Sequence, residues 1–304
     1  MGKRFLLSVI VSVIILVFLF LNFLEFKEFL DAMLSVNFLL FLASDIPYVI
    51  QALLMGYRLS WAMNKSGAKT SLTDGFIAHL FGMLGSDFSV GRFGYLASSL
   101  PLKSKLAGNL GVVSTLVVVD VIAKAIFSII SALFFICFLR LEISPFLFAF
   151  AALIIFIGIL FFAIAKSPKL MIFISKIPII GRRILPYYQD FRSSLESLKS
   201  GLFFLFIFPV LGWILRGCEW IILGYAVGIY FPFHVWLMLH PILSLTRLIP
   251  ITAAGLGIFE LTFIALFPNL EPAKQVTFGL LDMVNNSLVD IFGLLSIWKT
   301  KEIK

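Results

Sequence analysis

Residues 249–266, IPITAAGLGIFELTFIAL, decide how this chain is read. Pro250 interrupts an apolar run, and Thr252, Ala253, Ala254, Gly255 and Gly257 then lead into a new apolar segment with Glu260 one turn inside it. A Pro/Gly break beside a carboxylate, inside hydrophobic sequence, is the pattern of a discontinuous membrane helix. Irregular backbone persists at membrane depth only where protein or a watery cavity satisfies it, so the break marks a site.

The surrounding sequence is membrane sequence throughout. The chain is 61% hydrophobic and 13% charged, with mean hydropathy +1.08, against about 25% charged residues in soluble domains. Apolar runs of helix-spanning length, rather than short alternating segments, exclude a barrel and predict an all-α polytopic membrane protein. Six segments are predicted to cross: 5–24, 36–61, 106–138, 144–165, 201–230 and 275–298. Two more, 73–100 and 235–268, are broken by Gly or Pro and read as re-entrant hairpins of two half-helices. The whole of 1–304 is read as a single integral membrane domain. Lys3 and Arg4 precede the first apolar run with no small-x-small cleavage site after it, so an uncleaved anchor is expected.

Charge orients this layout. With a cytoplasmic N-terminus, seventeen basic residues fall inside, from Lys3 and Arg4 through Arg58, Lys65 and the 166–200 loop to Lys299, Lys301 and Lys304. Only Lys27, Arg140 and Lys274 fall outside. The positive-inside rule therefore puts both termini in the cytoplasm, and plasma-membrane residence is expected. Because the net charge of +8 sits in short loops and not on one soluble face, it does not signal nucleic-acid binding. The two hairpins would then enter from opposite faces, as an inverted-topology repeat requires. Within the basic 166–200 loop, Tyr188, Phe191, Leu195 and Leu198 recur at helical spacing and predict an interfacial amphipathic helix on anionic headgroups, or a basic loop that only fixes orientation.

Ionisable groups at membrane depth cost roughly 2.5–3.5 kcal/mol each on insertion scales, so each requires a reason. Asp120 and Lys124, four apart, and Arg216 and Glu219, three apart, can pair on their own helices as structural ion pairs or line a cavity. Arg92 and Arg247 stand beside the two hairpin breaks. A guanidinium near a half-helix N-terminus is suited to a phosphate; the alternatives are snorkelling for Arg92 and pairing with Glu260 for Arg247. Gly255 and Gly257 would let the backbone approach a headgroup there. Glu260, and also Asp45, Asp282 and Asp290, are candidates for proton coupling. His79, His234 and His240 lack metal-ligand spacing, and Cys137 and Cys218 lie in apolar runs, so neither metal, cofactor nor disulfide is expected.

The stretch Pro250-Ile251-Thr252-Ala253-Ala254-Gly255-Leu256-Gly257-Ile258-Phe259-Glu260 resembles the Pro-x-(Ser/Thr)-x-Gly-Gly-Leu-Gly-x-x-Glu signature of the flippase-like membrane domain of lysylphosphatidylglycerol synthases. Ala254 replaces the first Gly of its pair. A second landmark, Pro-(Gly/Ala)-Arg-x-Gly-Glu, is matched by Val90-Gly91-Arg92-Phe93-Gly94-Tyr95, which keeps Arg and Gly but has Val90 and Tyr95 for Pro and Glu. The resemblance spans essentially the whole chain. It implies a stand-alone member without the soluble aminoacyl-transfer domain, a flippase-like role, and an acidic-basic pair near Asp120. An Arg is frequent in that family near the Asp282 position, where this chain departs.

These readings converge on translocation of a phospholipid or polyprenyl-linked lipid with an anionic or phosphate-bearing headgroup, with a separate lipid synthase as a partner. No nucleotide-binding loop is present, and no catalytic constellation points to an enzyme. The competing readings are a small-solute or ion transporter and a membrane-embedded lipid-modifying transferase.

Overall fold

The computed structural model describes residues 3–89, 92–103, 108–167, 180–252 and 255–296. Val90, Gly91, Ala253 and Ala254 of the two motifs, and 168–179 of the basic loop, lie outside them. All the described secondary structure is helical: α1 (Lys3–Asn22), α2 (Phe26–Leu34), α3 (Phe38–Lys65), α4 (Leu72–Asp87), a 3-10 segment (Phe93–Leu102), α5 (Asn109–Leu139) and α6 (Pro145–Lys166). There follow α7 (Ile180–Leu198), α8 (Leu202–Val227), α9 (Phe233–Thr246), α10 (Ile258–Leu266), α11 (Pro272–Asp290) and a last 3-10 turn (Ile291–Leu294). The chain is an all-α polytopic membrane protein.

Among the described residues, three helical stretches are long and apolar enough to cross a membrane: Phe38–Lys65, Asn109–Leu139 and Leu185–Val227, the last running from α7 into α8. Val9–Asn22 and Phe26–Leu34 qualify together but bend by 101° at their junction. The sequence places 25–31 in a loop; instead α2 forms a short amphipathic helix, with Ala32 buried and Phe26, Leu30 and Leu34 exposed along one stripe. The 31 residues of α5 give about 46 Å of helix, beyond the roughly 30 Å hydrocarbon core. Its N-terminal turns pack on α7, where a side chain at Gly111 would strike the Asp190 carbonyl. On α7, the apolar face Tyr188, Phe191, Leu195 and Leu198 is buried in protein, against neighbours that include Phe162 and Val118, rather than left for lipid.

α3 and α8 form the central antiparallel pair. The Asn37 amide at the start of α3 donates to Ala226 at the end of α8 (2.8 Å), and Gly201 before α8 abuts Trp61 near the end of α3. Because α4 follows the C-terminal end of α3 and α9 follows the C-terminal end of α8, the two broken hairpins start at opposite ends of this pair. At 16 and 14 residues, α4 and α9 reach only about 24 and 21 Å, too short to cross.

Each hairpin has a sequence reason. α4 opens on a capping box, Ser71 with Asp74, and turns back at Arg92, which holds a left-handed backbone (φ 60°). The returning 3-10 segment lies against α4 backbone to backbone: a side chain at Gly94 would fall 1.9 Å from the Gly85 carbonyl. In α9, Pro241 denies the Leu237 carbonyl its usual helical partner. The Trp213 indole N–H of α8 donates to that carbonyl instead, at 2.5 Å. Broken backbone is thus satisfied by a neighbouring helix.

α11 is the polar axis of the bundle. Gln275, Thr277, Asp282, Asn285, Asn286 and Asp290 are all buried, which explains why its hydropathy is low although it sits inside.

Candidate functional site

The hairpin tips meet at a cavity of about 210 Å³ whose lining includes Tyr48 and Met55 of α3, His79 of α4, Asp120, Lys124 and Phe127 of α5, and Trp213 and Arg216 of α8. His240 and Ser244 of α9 complete it, together with Arg92 and Arg247 from the two tips. The walls are mostly apolar, yet four basic side chains (Arg92, Lys124, Arg216 and Arg247) reach it.

Three of the four are already engaged. Arg216 is the hub: it donates to Glu219 (2.5 Å) and Asn286 (2.6 Å) through Nη1, to Asp282 (2.9 Å) through Nη2, and to His240 (3.3 Å) through Nε. Its guanidinium also lies over the Tyr48 ring, 5.1 Å from the centroid. Asp282 is shared. It accepts from the Trp220 indole at 2.8 Å and pairs with Arg247 Nη1 at 2.7 Å. Asn285 ties Glu219 to Ser44 on α3. Arg92 pairs with Asp87 at 2.7 Å.

The structure rearranges two expected contacts. Asp120 does not pair with Lys124 one turn away; it binds Arg58 of α3, which the charge count had placed toward the inner loop but which is 2% exposed within the bundle. A partner from another helix replaces the local one because α3 brings a guanidinium with several donors to the carboxylate. Lys124 is left as the one cavity cation with no carboxylate in salt-bridge distance among the described residues. The expected Arg216–Glu219 pair is present, but inside a larger network.

Arg247 does not pair with Glu260 either. Its partner is Asp282, and its guanidinium stacks over Phe259 at 4.1 Å. Glu260 is 1% exposed and caps its own helix: it accepts from the Gly257 amide at 2.7 Å and presses against the bare backbone of Gly279. The half-helix N-terminus is thus filled by the chain's own carboxylate. Gly255 (φ 80°) and Gly257 (φ 85°) adopt a backbone that side chains disfavour, but they face Arg247 and Ile15 respectively, not the cavity. Of the predicted site residues, the structure brings Arg92, Arg247, Asp120, Lys124 and Arg216 to the cavity, while Gly255, Gly257, Glu260 and Glu219 stand behind it as support.

Sequence reasoning missed the aromatic contributors. Tyr95, where the motif of the resembled family has Glu, shares a 2.8 Å hydrogen bond with His79 Nδ1, and both line the cavity. His79 Nε2 is buried without a partner among the described residues. The signal available was the motif departure itself: a phenol in place of a carboxylate needs a new partner. Ser244 carried no such signal.

One comparison agrees with this geometry: the model of the lysylphosphatidylglycerol synthase TM region matches residues 5–288. The chain belongs to that family. No curated protein matches the chain. Membership of the lysylphosphatidylglycerol synthase TM region family establishes a membrane protein with a lipid-related role. In this member, the described residues of the two recognised motifs each supply or support one cavity arginine: Arg92 directly, Arg247 through the contact at Gly255.

Proposed function

We propose that this protein moves a lipid with a phosphate-bearing headgroup between leaflets, and that the cavity between the hairpin tips holds the headgroup in transit. The observation that carries this reading is Lys124, a cation inside the membrane that lines the cavity and whose ammonium has no carboxylate partner among the described residues. An unpaired cation at that depth is costly, and an anionic headgroup offsets the cost. Arg92 and Arg247, each held by one carboxylate, can share hydrogen-bond donors with the same anion. The volume, about 210 Å³, is below the roughly 300–1,000 Å³ of sites that enclose drug-sized ligands. It suits a headgroup while the acyl chains stay in the bilayer.

Hairpins that start at opposite ends of the α3/α8 pair support alternating access by an inverted repeat, with the basic loops and termini cytoplasmic in the plasma membrane. A separate synthase would supply the lipid. The small volume also favours one second reading, transport of a free oxyanion.

The test is reconstitution in vesicles with a fluorescent phospholipid in one leaflet. Protein is expected to speed its redistribution, and Lys124→Gln to slow it. Losing one charge-assisted hydrogen bond, about 1.5–3 kcal/mol, corresponds to about 10–150-fold. Wild-type protein that moves no lipid, or a Lys124→Gln variant as fast as wild type, refutes the proposal. Release of trapped inorganic phosphate without lipid movement would establish the second reading instead.

A further inference from the structure

The carboxylates inside the bundle differ in what they face. Asp87 faces Arg92, Asp120 faces Arg58, Glu219 faces Arg216, and Asp282 faces Arg216 and Arg247. Glu260 accepts a backbone N–H. Among the described residues neither holds for Asp45 of α3, which is half-buried, nor for Asp290 at the end of α11. Asp290 is fully buried, and each of its carboxylate oxygens lies 2.9 Å from the Tyr48 hydroxyl. No cation pairs with it among the described residues. Adding a proton to any of the first four breaks an ion pair with arginine. Adding one to Asp290 breaks none, and it removes a charge that water does not reach.

Tyr48 connects this carboxyl to the cavity, which it lines while remaining 2% exposed. The other charged and titratable groups facing Asp290 are Asp87 at the end of α4, Arg92 just beyond it, Tyr95 of the returning 3-10 segment and Arg216 on α8, beside Tyr48 itself on α3. Asp87 and Arg92 pair with each other, Tyr95 bonds His79, and Arg216 belongs to the Glu219–Asp282 network. A two-membered chain, carboxyl to phenol, therefore runs from a dry interior position to the cavity.

We propose that Asp290 is a proton-exchanging carboxyl that communicates with the cavity through Tyr48. When water or an anion in the cavity takes the Tyr48 hydroxyl proton, the carboxyl proton of Asp290 replaces it on the phenol oxygen. The phenol ends unchanged, and one proton has moved from Asp290 to the cavity; the reverse step reloads it. This activity does not depend on which cargo the cavity takes. It gives a proton gradient a point at which to act on the hairpin tips, because Asp87 and Arg92 sit beside the carboxyl that changes charge.

Infrared difference spectroscopy of the reconstituted full chain tests it. Wild type is expected to show the carbonyl band of a neutral carboxylic acid at neutral pH, shifting on transfer to heavy water. Asp290→Asn, which keeps size and an acceptor for Tyr48, is expected to lose that band, with the amide bands of the same sample reporting the fold. Tyr48→Phe is expected to keep the band and slow its heavy-water shift at least tenfold. An unchanged neutral-acid band in Asp290→Asn overturns the assignment, and exchange at the wild-type rate in Tyr48→Phe overturns the relay. Wild-type protein that shows these spectra but moves no lipid would sustain the proton site and end the translocation reading alone.

Discussion

Asp282 holds two arginines that come from different parts of the chain, so its loss is the most informative single perturbation of the network. The side chain is fully buried and lies 2.9 Å from Arg216 and 2.7 Å from Arg247. Replacing it by Ala strands a guanidinium inside the bundle. Breaking a buried pair from one side costs about 3–5 kcal/mol. The two arginines are not stranded equally: among the described residues Arg216 retains Glu219 and Asn286, whereas Arg247 retains the Phe259 ring and no second carboxylate within salt-bridge distance. Most of the cost should therefore reside in Arg247. The double variant Asp282→Leu with Arg247→Met removes both charges of the stranded pair and refills the space with apolar groups, an exchange that is often neutral or stabilising. A double-mutant cycle, measured by equilibrium unfolding in mixed micelles, should show Asp282→Ala losing about 3–5 kcal/mol and the double variant recovering at least half. Recovery on pairing Asp282→Leu with Arg216→Met instead, but not with Arg247→Met, would show that Arg216 is the stranded partner and refute the reasoning.

Three further outcomes are expected from the hairpins. At Gly257, whose added side chain would fall 2.5 Å from Ile15 of α1, substitution by Ala should lower unfolding stability, by about 1–2 kcal/mol for the left-handed backbone alone, with transport per folded molecule kept. Gly255→Ala, which pushes on the Arg247 backbone at 2.7 Å, should lower both. Cysteine labelling in intact cells should place positions 66–70 and 187–199 on one face and 228–232 and 267–271 on the other; positions 69 and 230 reacting from the same face would overturn the opposed-hairpin layout.

Much of this fold was legible because its decisive signals are local. Pro250 with the glycines after it, and Gly94 beside Arg92, mark the two tips, and runs of apolar residues mark the long helices. The charge count was also informative in what it left over. Once the loop residues are assigned, Arg92, Lys124, Arg216 and Arg247 remain, and these four line the cavity. Pairing within one helix was legible for Arg216 and Glu219, but pairing between helices was not. Spacing along a helix pairs Asp120 with Lys124, whereas the partner is 62 positions away on α3, and nothing in local sequence encodes that approach. The same limit hid the Tyr48–Asp290 contact, 242 positions apart. α2 was missed for another reason: FKEFLDAML carries helical periodicity in nine residues, but its acidic residues read as an outer loop.

The arrangement of paired and unpaired charge ties the architecture to its proposed work. A bundle that only needed to be stable would do better with apolar residues in place of these ion pairs, since each charge at depth is costly. Here the arginines are concentrated on elements that end inside the membrane or face those ends: Arg92 at one tip, Arg247 at the other, and Arg216 between them. Each arginine keeps a carboxylate that an arriving anion can share or displace, and Lys124 keeps none among the described residues. Arg247 of one tip is joined through Asp282 and Arg216 to Tyr48, which bonds Asp290, and Arg92 of the other tip pairs with Asp87. Under the proposed function, one anion in the cavity, or one proton at Asp290, would act through these contacts on which end of the α3/α8 pair is open.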